Sequence, residues 1–341
     1  MRGEGEGFDP LALRLFHLQY DHVPAYRALC DSQSVHPGSI RCWTEIPVVP
    51  TSAFKEFEFT TIAPGERTTV FCSSGTTEQR PSRHFHNAQS LAIYEASLLA
   101  WASVNLPLND ATLIFITPDP EHAPHSSLVH MFGAISRSGG VRRATFVGAP
   151  DSDGSWQIDA DRTIALLKAC ESTNEPVGIL GTAFNFVHLI DALDAEGLRF
   201  SLPLRSWSLE TGGYKGRSRT MPKPELHTLI SGFLGLRSDQ VVTEYGMCEL
   251  SSQAYDTSLV RQGSDRMFRF PPWVRTLVVS PETGREVQNG EIGLLRVYDL
   301  ANVYSVMAVE TQDLARRSGS DFDLIGRADR TEPRGCSLMT H

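Results

Sequence analysis

Two short segments carry the side chains best suited to hold a phosphorylated substrate. The first is Cys72-Ser-Ser-Gly-Thr-Thr-Glu-Gln-Arg-Pro-Ser82, where hydroxylated residues crowd around one glycine directly after the β-prone run Thr69-Val-Phe-Cys72. Glycine lets the backbone approach an anion closely, and exposed amides and hydroxyls donate to phosphate oxygens at little steric cost. Ser73, Ser74, Gly75, Thr76 and Thr77 are therefore the candidate phosphate loop; standing alone, the same composition would make an ordinary turn. The pattern GxxxxGK[ST] is absent from the chain, so kinase and P-loop ATPase chemistry loses its main support.

The second segment, Thr243-Glu-Tyr-Gly-Met-Cys-Glu249, follows a Val-Val run and places an aromatic ring, a glycine and a carboxylate just past an expected strand. The Tyr245 ring can stack on a purine, and Glu249 can hold Mg²⁺ against phosphates. The plainer alternative is a strand-to-helix turn with an exposed glutamate. His84, His86, His122 and His125 form two pairs, too few for a closed metal site, which needs four ligands with supporting contacts. His130 is a candidate for a substrate pocket, against the simpler reading of a satisfied core histidine.

The elements that must position these residues follow from periodicity. Residues 111–117 and 176–181 read as buried strands, and residues 87–102, 161–170 and 184–195 as helices. One or two helices are expected between residues 10 and 30. The two prolines of Ile46-Pro-Val-Val-Pro50 suggest an extended segment crossing the surface towards the first loop. The order around that loop reads strand, polar loop, helix. From about residue 268 the character becomes β-rich, with strands at 274–280 and 293–298 around turn residues. This alternation predicts an α/β architecture.

The chain of 341 residues, 41% hydrophobic and 21% charged, has the composition of a globular protein with a sizeable core. Forty acidic against 31 basic residues give a net charge of -9, and no basic stretch makes a nucleic-acid footprint, so no nucleic-acid partner is expected. The polar, glycine-rich start lacks the apolar core of a signal peptide, and no apolar run reaches the about 20 residues of a membrane span. A cytoplasmic, soluble protein without a membrane span is expected. Six cysteines without a CxxC pair argue for reduced thiols rather than a disulfide or zinc framework.

Taken together, the motifs are similar to those of the adenylate-forming enzymes. Ser73-Ser-Gly-Thr-Thr77 with Pro81-Ser82 resembles their phosphate loop, and Tyr245-Gly-Met-Cys-Glu249 resembles their YGxTE motif. Glu310-Thr-Gln-Asp313 resembles the later TGD motif, and Gly326-Arg-Ala-Asp329 the GRxD hinge. Ile46-Pro-Val-Val-Pro50 with Phe54-Lys55, Glu210-Thr-Gly-Gly-Tyr-Lys-Gly-Arg217, residues 245–253 and Arg334-Gly-Cys-Ser-Leu338 resemble the acyl-protein synthetases of bioluminescence, the LuxE type.

The resemblance implies ATP and Mg²⁺ as cofactors and a carboxylic acid as substrate. The acid would be activated as an acyl-adenylate and passed to Cys336, then to an acceptor such as a protein or carrier protein. Direct delivery to an amine, alcohol or carrier thiol, and a non-catalytic nucleotide-binding subunit, are the alternatives. It further implies that Asp313 and Arg327 sit at the nucleotide, Asp313 on the ribose hydroxyls. Gly212 and Gly213 would allow a tight turn beside the nucleotide, with Lys215 and Arg217 supplying positive charge.

On this basis residues 1–330 form the adenylate-forming large domain, β-rich over about 268–325. Residues 331–341 form a short tail carrying Cys336 in place of the usual small C-terminal domain with its lysine. Three departures stand out: Glu78 replaces a glycine, Arg80 precedes Pro81 where a lysine usually follows it, and Cys248 replaces the threonine of YGxTE.

Overall fold

Strands and helices alternate through the middle of the chain because its apolar residues switch between a period of two and a period near 3.6. The computed structural model describes residues 7–73, 80–151, 156–212, 221–260 and 266–328. Helices α1 (Phe8–His22) and α2 (Pro24–Ser32) lead into the two-residue strand β1 (Val49–Pro50). Strands β2 (Thr69–Cys72) and β3 (Arg83–His86) form a separate hairpin, followed by α3 (Ala88–Asn105), which Asn87 caps by accepting from the Ser90 amide at 2.9 Å. Then come β4 (Ala111–Phe115), α4 (Ser127–Ser136), β5 (Val141–Phe146), a small hairpin of β6 (Gly148–Pro150) and β7 (Trp156–Ile158), and α5 (Ala160–Ser172). Strand β8 (Val177–Thr182), α6 (Ala183–Ala195), β9 (Trp207–Thr211), α7 (Lys223–Leu234) and β10 (Val241–Tyr245) complete the alternating part.

Six further strands close the described chain: β11 (Ala254–Asp256), β12 (Phe268–Arg269), β13 (Val274–Val279), β14 (Ile292–Asp299), β15 (Ala308–Ser318) and β16 (Asp321–Arg327). All but the two hairpins join one twelve-stranded sheet, ordered β13-β14-β15-β16-β12-β11-β10-β9-β8-β4-β5, with β1 paired to β15. The run from β5 to β10 is parallel, and the run from β10 through β11 to β13 is antiparallel.

The parallel strands inside the edge strand β5 are buried on both faces, as crossover helices require. Leu113, Phe115, Leu180, Leu209 and Val242 pack in a core with Tyr94 and Leu98 of α3 and Phe132 of α4. Their neighbours Ile114, Ile179 and Val241 face the opposite core, with Leu167 of α5, Phe186 of α6 and Ile230 of α7. A third core joins Phe16 and Tyr26 to Val297, Tyr298 and Val309 of the antiparallel part.

Two expectations are corrected. The segment at residues 46–55 does not cross the surface: Val49 and Phe54 are fully buried, and Val49 pairs with Val309. The chain around the phosphate-loop candidate runs strand, loop, strand, then helix. Strand β3 was hidden because Arg83-His-Phe-His86 is polar in sequence, yet His84, Phe85 and His86 are all buried.

Candidate active site

Parallel strands end together, so the carboxyl ends of β9 and β10 bring two of the sequence motifs side by side. In register, Thr243 faces Glu210 and Glu244 faces Thr211. The next residue after β9, Gly212, turns the chain away at φ +69°, a left-handed conformation that favours glycine. The phosphate-loop candidate is pinned at its base: the Ser73 amide donates to the Ser82 carbonyl at 3.0 Å, and the Ser82 amide donates to Ser73 Oγ at 2.9 Å. Ser74, Gly75, Thr76, Thr77, Gly213, Lys215, Arg217 and Cys336 lie outside the described residues.

The structure joins Tyr245, Asp313 and Arg327. Tyr245 Oη donates to Asp313 Oδ2 at 2.8 Å, and Arg327 Nε lies 3.4 Å from Asp313 Oδ1 across the β15–β16 pair. Arg327 is open to solvent, its side chain 82% exposed. The Tyr245 ring does not stand free; Phe268, Phe270 and Phe322 hold it edge-on at 6.1, 6.1 and 5.7 Å. Burial and the Asp313 carboxylate push its hydroxyl well above the usual range, so it stays a donor.

Glu249 is buried, which corrects the exposed-glutamate alternative. Among the described residues its carboxylate meets the Cys248 thiol, which donates to Oε2 at 3.3 Å, and no cation pairs with it. An acceptor-only group in that position fits a cation. Among the described residues, no cluster of three or more His, Cys, Asp or Glu side chains forms a metal site.

Two other carboxylates occupy the strand ends. Glu210 is fully buried and takes Lys223 Nζ at 2.9 Å, His227 Nε2 at 3.1 Å and Thr243 Oγ1 at 3.0 Å, all on one oxygen. Burial opposes its charge, but Lys223 and His227 overcome that and hold it down at about 2. Glu244, on the next strand, accepts at Oε2 from the Thr211 hydroxyl, its one donor among the described residues, and burial pushes it up to about 7.

Near the same face, His130 Nε2 lies 3.0 Å from Glu95 Oε1 and its ring packs 5.1 Å from Phe71 and 5.8 Å from Tyr94. Burial lowers its proton affinity. The His84 and His86 rings lie tilted at 35° with centroids 4.2 Å apart, with His84 Nδ1 2.7 Å from the Cys248 carbonyl, and burial lowers them to about 4 and about 2. They read as neutral interior rings. Burial likewise pushes the thiols of Cys30, Cys72, Cys170 and Cys248 up, away from the reactive thiolate.

Sequence reasoning missed Glu244, Thr211, Tyr94 and Tyr255. Alternation along β10 could have flagged Glu244, because a charged residue at an inward position of a fully buried strand stands out.

This architecture is that of the adenylate-forming ligases. An open conformation of 2-hydroxyisobutyryl-CoA ligase in complex with 2-HIB-AMP and CoA superposes with a TM-score of 0.68 at 16% identity, covering 94% of this chain and 74% of that one. ATP-bound MatB from Rhodopseudomonas palustris gives a TM-score of 0.52 at 17% identity, covering 89% and 58%. Within that class, the family model for acyl-protein synthetase, LuxE, matches residues 8–341, and the chain belongs to this family of ligases. It is similar to the long-chain-fatty-acid–luciferin-component ligases of Aliivibrio fischeri and Vibrio harveyi. The first is 22% identical over 97% of this chain and 86% of the relative, the second 21% over 95% and 84%. No helix among the described residues is long and apolar enough to cross a membrane.

Proposed function

We propose that this protein activates a carboxylic acid with ATP as an acyl-adenylate and then transfers the acyl group to Cys336, from which an acceptor such as a carrier protein takes it. The observation that carries the reading is the Tyr245–Asp313 hydrogen bond of 2.8 Å, which unites two motifs distant in sequence at the rim of β10. In the first half-reaction a carboxylate oxygen bonds to the α-phosphorus while the bond to pyrophosphate breaks. In the second, the Cys336 thiolate attacks the acyl carbon and AMP leaves.

Each half-reaction gives the residues a task. The hydroxyls and amides of residues 73–77 grip the phosphates, with Lys215 and Arg217 adding positive charge as it builds at phosphorus. Asp313 accepts from the ribose hydroxyls, oriented from behind by Tyr245. Glu249 would hold Mg²⁺, which when bound neutralises phosphate charge. His130 stands at the acid's side of the site. The raised thiols of Cys30, Cys72, Cys170 and Cys248 favour the protonated form, which makes those four poor acceptors.

ATP–pyrophosphate exchange with a panel of acids tests the first half-reaction. Glu249→Gln is expected to lower exchange by about 100-fold at limiting magnesium, the scale of removing one charged catalytic group. A folded variant with full activity returns Glu249 to a structural role. Cys336→Ser should keep exchange but lose the hydroxylamine-sensitive acyl adduct that labelled acid leaves on the parent. Overall transfer undiminished in that variant would point to direct delivery to an external acceptor.

A further inference from the structure

One face of the sheet ends in a row of polar side chains that the half-reactions above do not use. Register places Thr211, Glu244 and Tyr255 side by side on β9, β10 and β11, and paired residues of neighbouring strands point to the same face. Two residues further back on these strands, Leu209 and Val242 belong to the apolar core under α3 and α4, so the row caps that core. Tyr94 of α3 covers it, its hydroxyl accepting from Gln253 Nε2 at 3.4 Å. Gln253 and Glu244 also meet over Gly246: a Cβ there would collide with Glu244 Oε1 and lie 3.5 Å from Gln253 Cγ.

This row is incompletely satisfied. Tyr255 Oη and Gln253 Oε1 are buried and have no hydrogen-bond partner among the described residues. Glu244 is 5% exposed, and no cation is paired with it among the described contacts. Buried polar groups are normally partnered, and leaving one unpaired costs about 1–3 kcal/mol. The open capacity is mostly acceptor: an amide oxygen, a carboxyl and a phenol that can turn either way. Glu244 and Gln253 adjoin Gly246, a glycine of one nucleotide motif, and Thr211 directly precedes Gly212 of another.

We infer that this row recognises the body of the acid, and that the acid carries a hydrogen-bond donor, a hydroxyl or amino group close to its carboxylate, rather than an unsubstituted alkyl chain. This rests on the acyl-adenylate reading and specifies its substrate class. A long alkyl chain would bury the acceptors of Glu244, Gln253 and Tyr255 against methylenes, whereas a donor-bearing acid completes them. Glu244 balances an ammonium when ionised and meets a hydroxyl in either state. The two relatives named for long-chain fatty acids share only 22% and 21% identity with this chain, which leaves room for such a change of pocket.

Matched acids differing only by one hydroxyl or amino group, with straight-chain acids of increasing length as references, provide the test. With the full chain, the donor-bearing member should show kcat/KM for ATP–pyrophosphate exchange at least about tenfold above its unsubstituted twin, and Tyr255→Phe or Gln253→Leu should erase most of that ratio. The hydroxyl and amino arms tell the two donors apart: loss of the amino preference alone in Glu244→Gln identifies an ammonium. Thermal shift with the same acids, without ATP, separates the two claims. Donor-dependent stabilisation that Tyr255→Phe abolishes, with no exchange for any acid, would overturn adenylation and uphold the row. Tyr255→Phe removes an unpartnered hydroxyl and should not lower the Tm of the free protein, so it reports on binding rather than folding. Equal or better use of unsubstituted acids, or a preference unchanged in both variants, overturns the inference.

Discussion

Glu210 and Glu244 end neighbouring strands, one register step apart, and both are buried, yet they face opposite sides of the sheet and titrate in opposite directions. On the α7 side, Lys223 and His227, four residues apart on one helix face, meet Glu210 and hold it ionised at about 2. On the α3 and α4 side, Glu244 accepts from the Thr211 hydroxyl and burial pushes it to about 7. Burial alone raises both; the cations of one helix make the difference. The charged side is balanced by cations on one Glu210 oxygen, its other oxygen having no partner among the described residues, while on the neutral side no cation meets Glu244 among the described residues.

The largest effect should come from breaking the side balanced by cations. Glu210→Ala strands Lys223 and His227 beside an apolar core, and removal of one member of a buried pair costs about 3 kcal/mol. Urea unfolding at pH 7 should show this as a lower midpoint with unchanged slope. A loss under about 1 kcal/mol would mean that solvent at Lys223, whose side chain is 40% exposed, already screens the pair.

The next effect is a pH dependence of opposite sense on the two sides. Glu244 has its pKa raised from the ordinary 4.5 to about 7, so the folded state keeps a proton that the unfolded chain releases. Its contribution is fully present below 4.5 and is lost as pH rises through 7. Glu210 is lowered to about 2, so its contribution is present above 4.5 and is lost as pH falls through 2. Glu244→Gln should flatten the decline between pH 4.5 and 7 and stabilise the protein at pH 8 by about 2 kcal/mol. An unchanged stability–pH curve in that variant would equate the two carboxylates and dissolve the contrast.

The smallest effect is at Thr211, whose hydroxyl hydrogen bond lowers Glu244. Thr211→Val should cost about 1 kcal/mol above pH 7 and move the Glu244 titration further up, as read by carboxyl carbon NMR. A downward movement would place another donor on that carboxyl.

Legibility in the sequence followed locality. Strands β4, β8, β13 and β14 and helices α3, α5 and α6 were readable within a few residues, because their apolar periods are internal to each segment. Strands β15 and β16 carry charges that pair only across the sheet, such as Arg296 with Glu310 at 2.7 Å, so nothing local marks them as strands. The motif residues Tyr245, Asp313, Arg327 and Glu249 were identifiable by order along the chain. That Tyr245 is held by three phenylalanines, or that Glu244 meets no cation among the described residues, depends on neighbours from distant segments, which no local pattern encodes.

The pairing of β1 with β15 has a consequence for biosynthesis. Val49 needs Val309, and Gln19 both donates to the Asn302 carbonyl at 2.7 Å and accepts from the Met307 amide at 3.0 Å. A ribosome adding roughly 5–20 residues per second delivers the leading helices well before these partners exist. Phe16, Tyr26 and Phe54 must then wait tens of seconds with apolar surface uncovered, so the first part of the protein to be made is among the last to be consolidated.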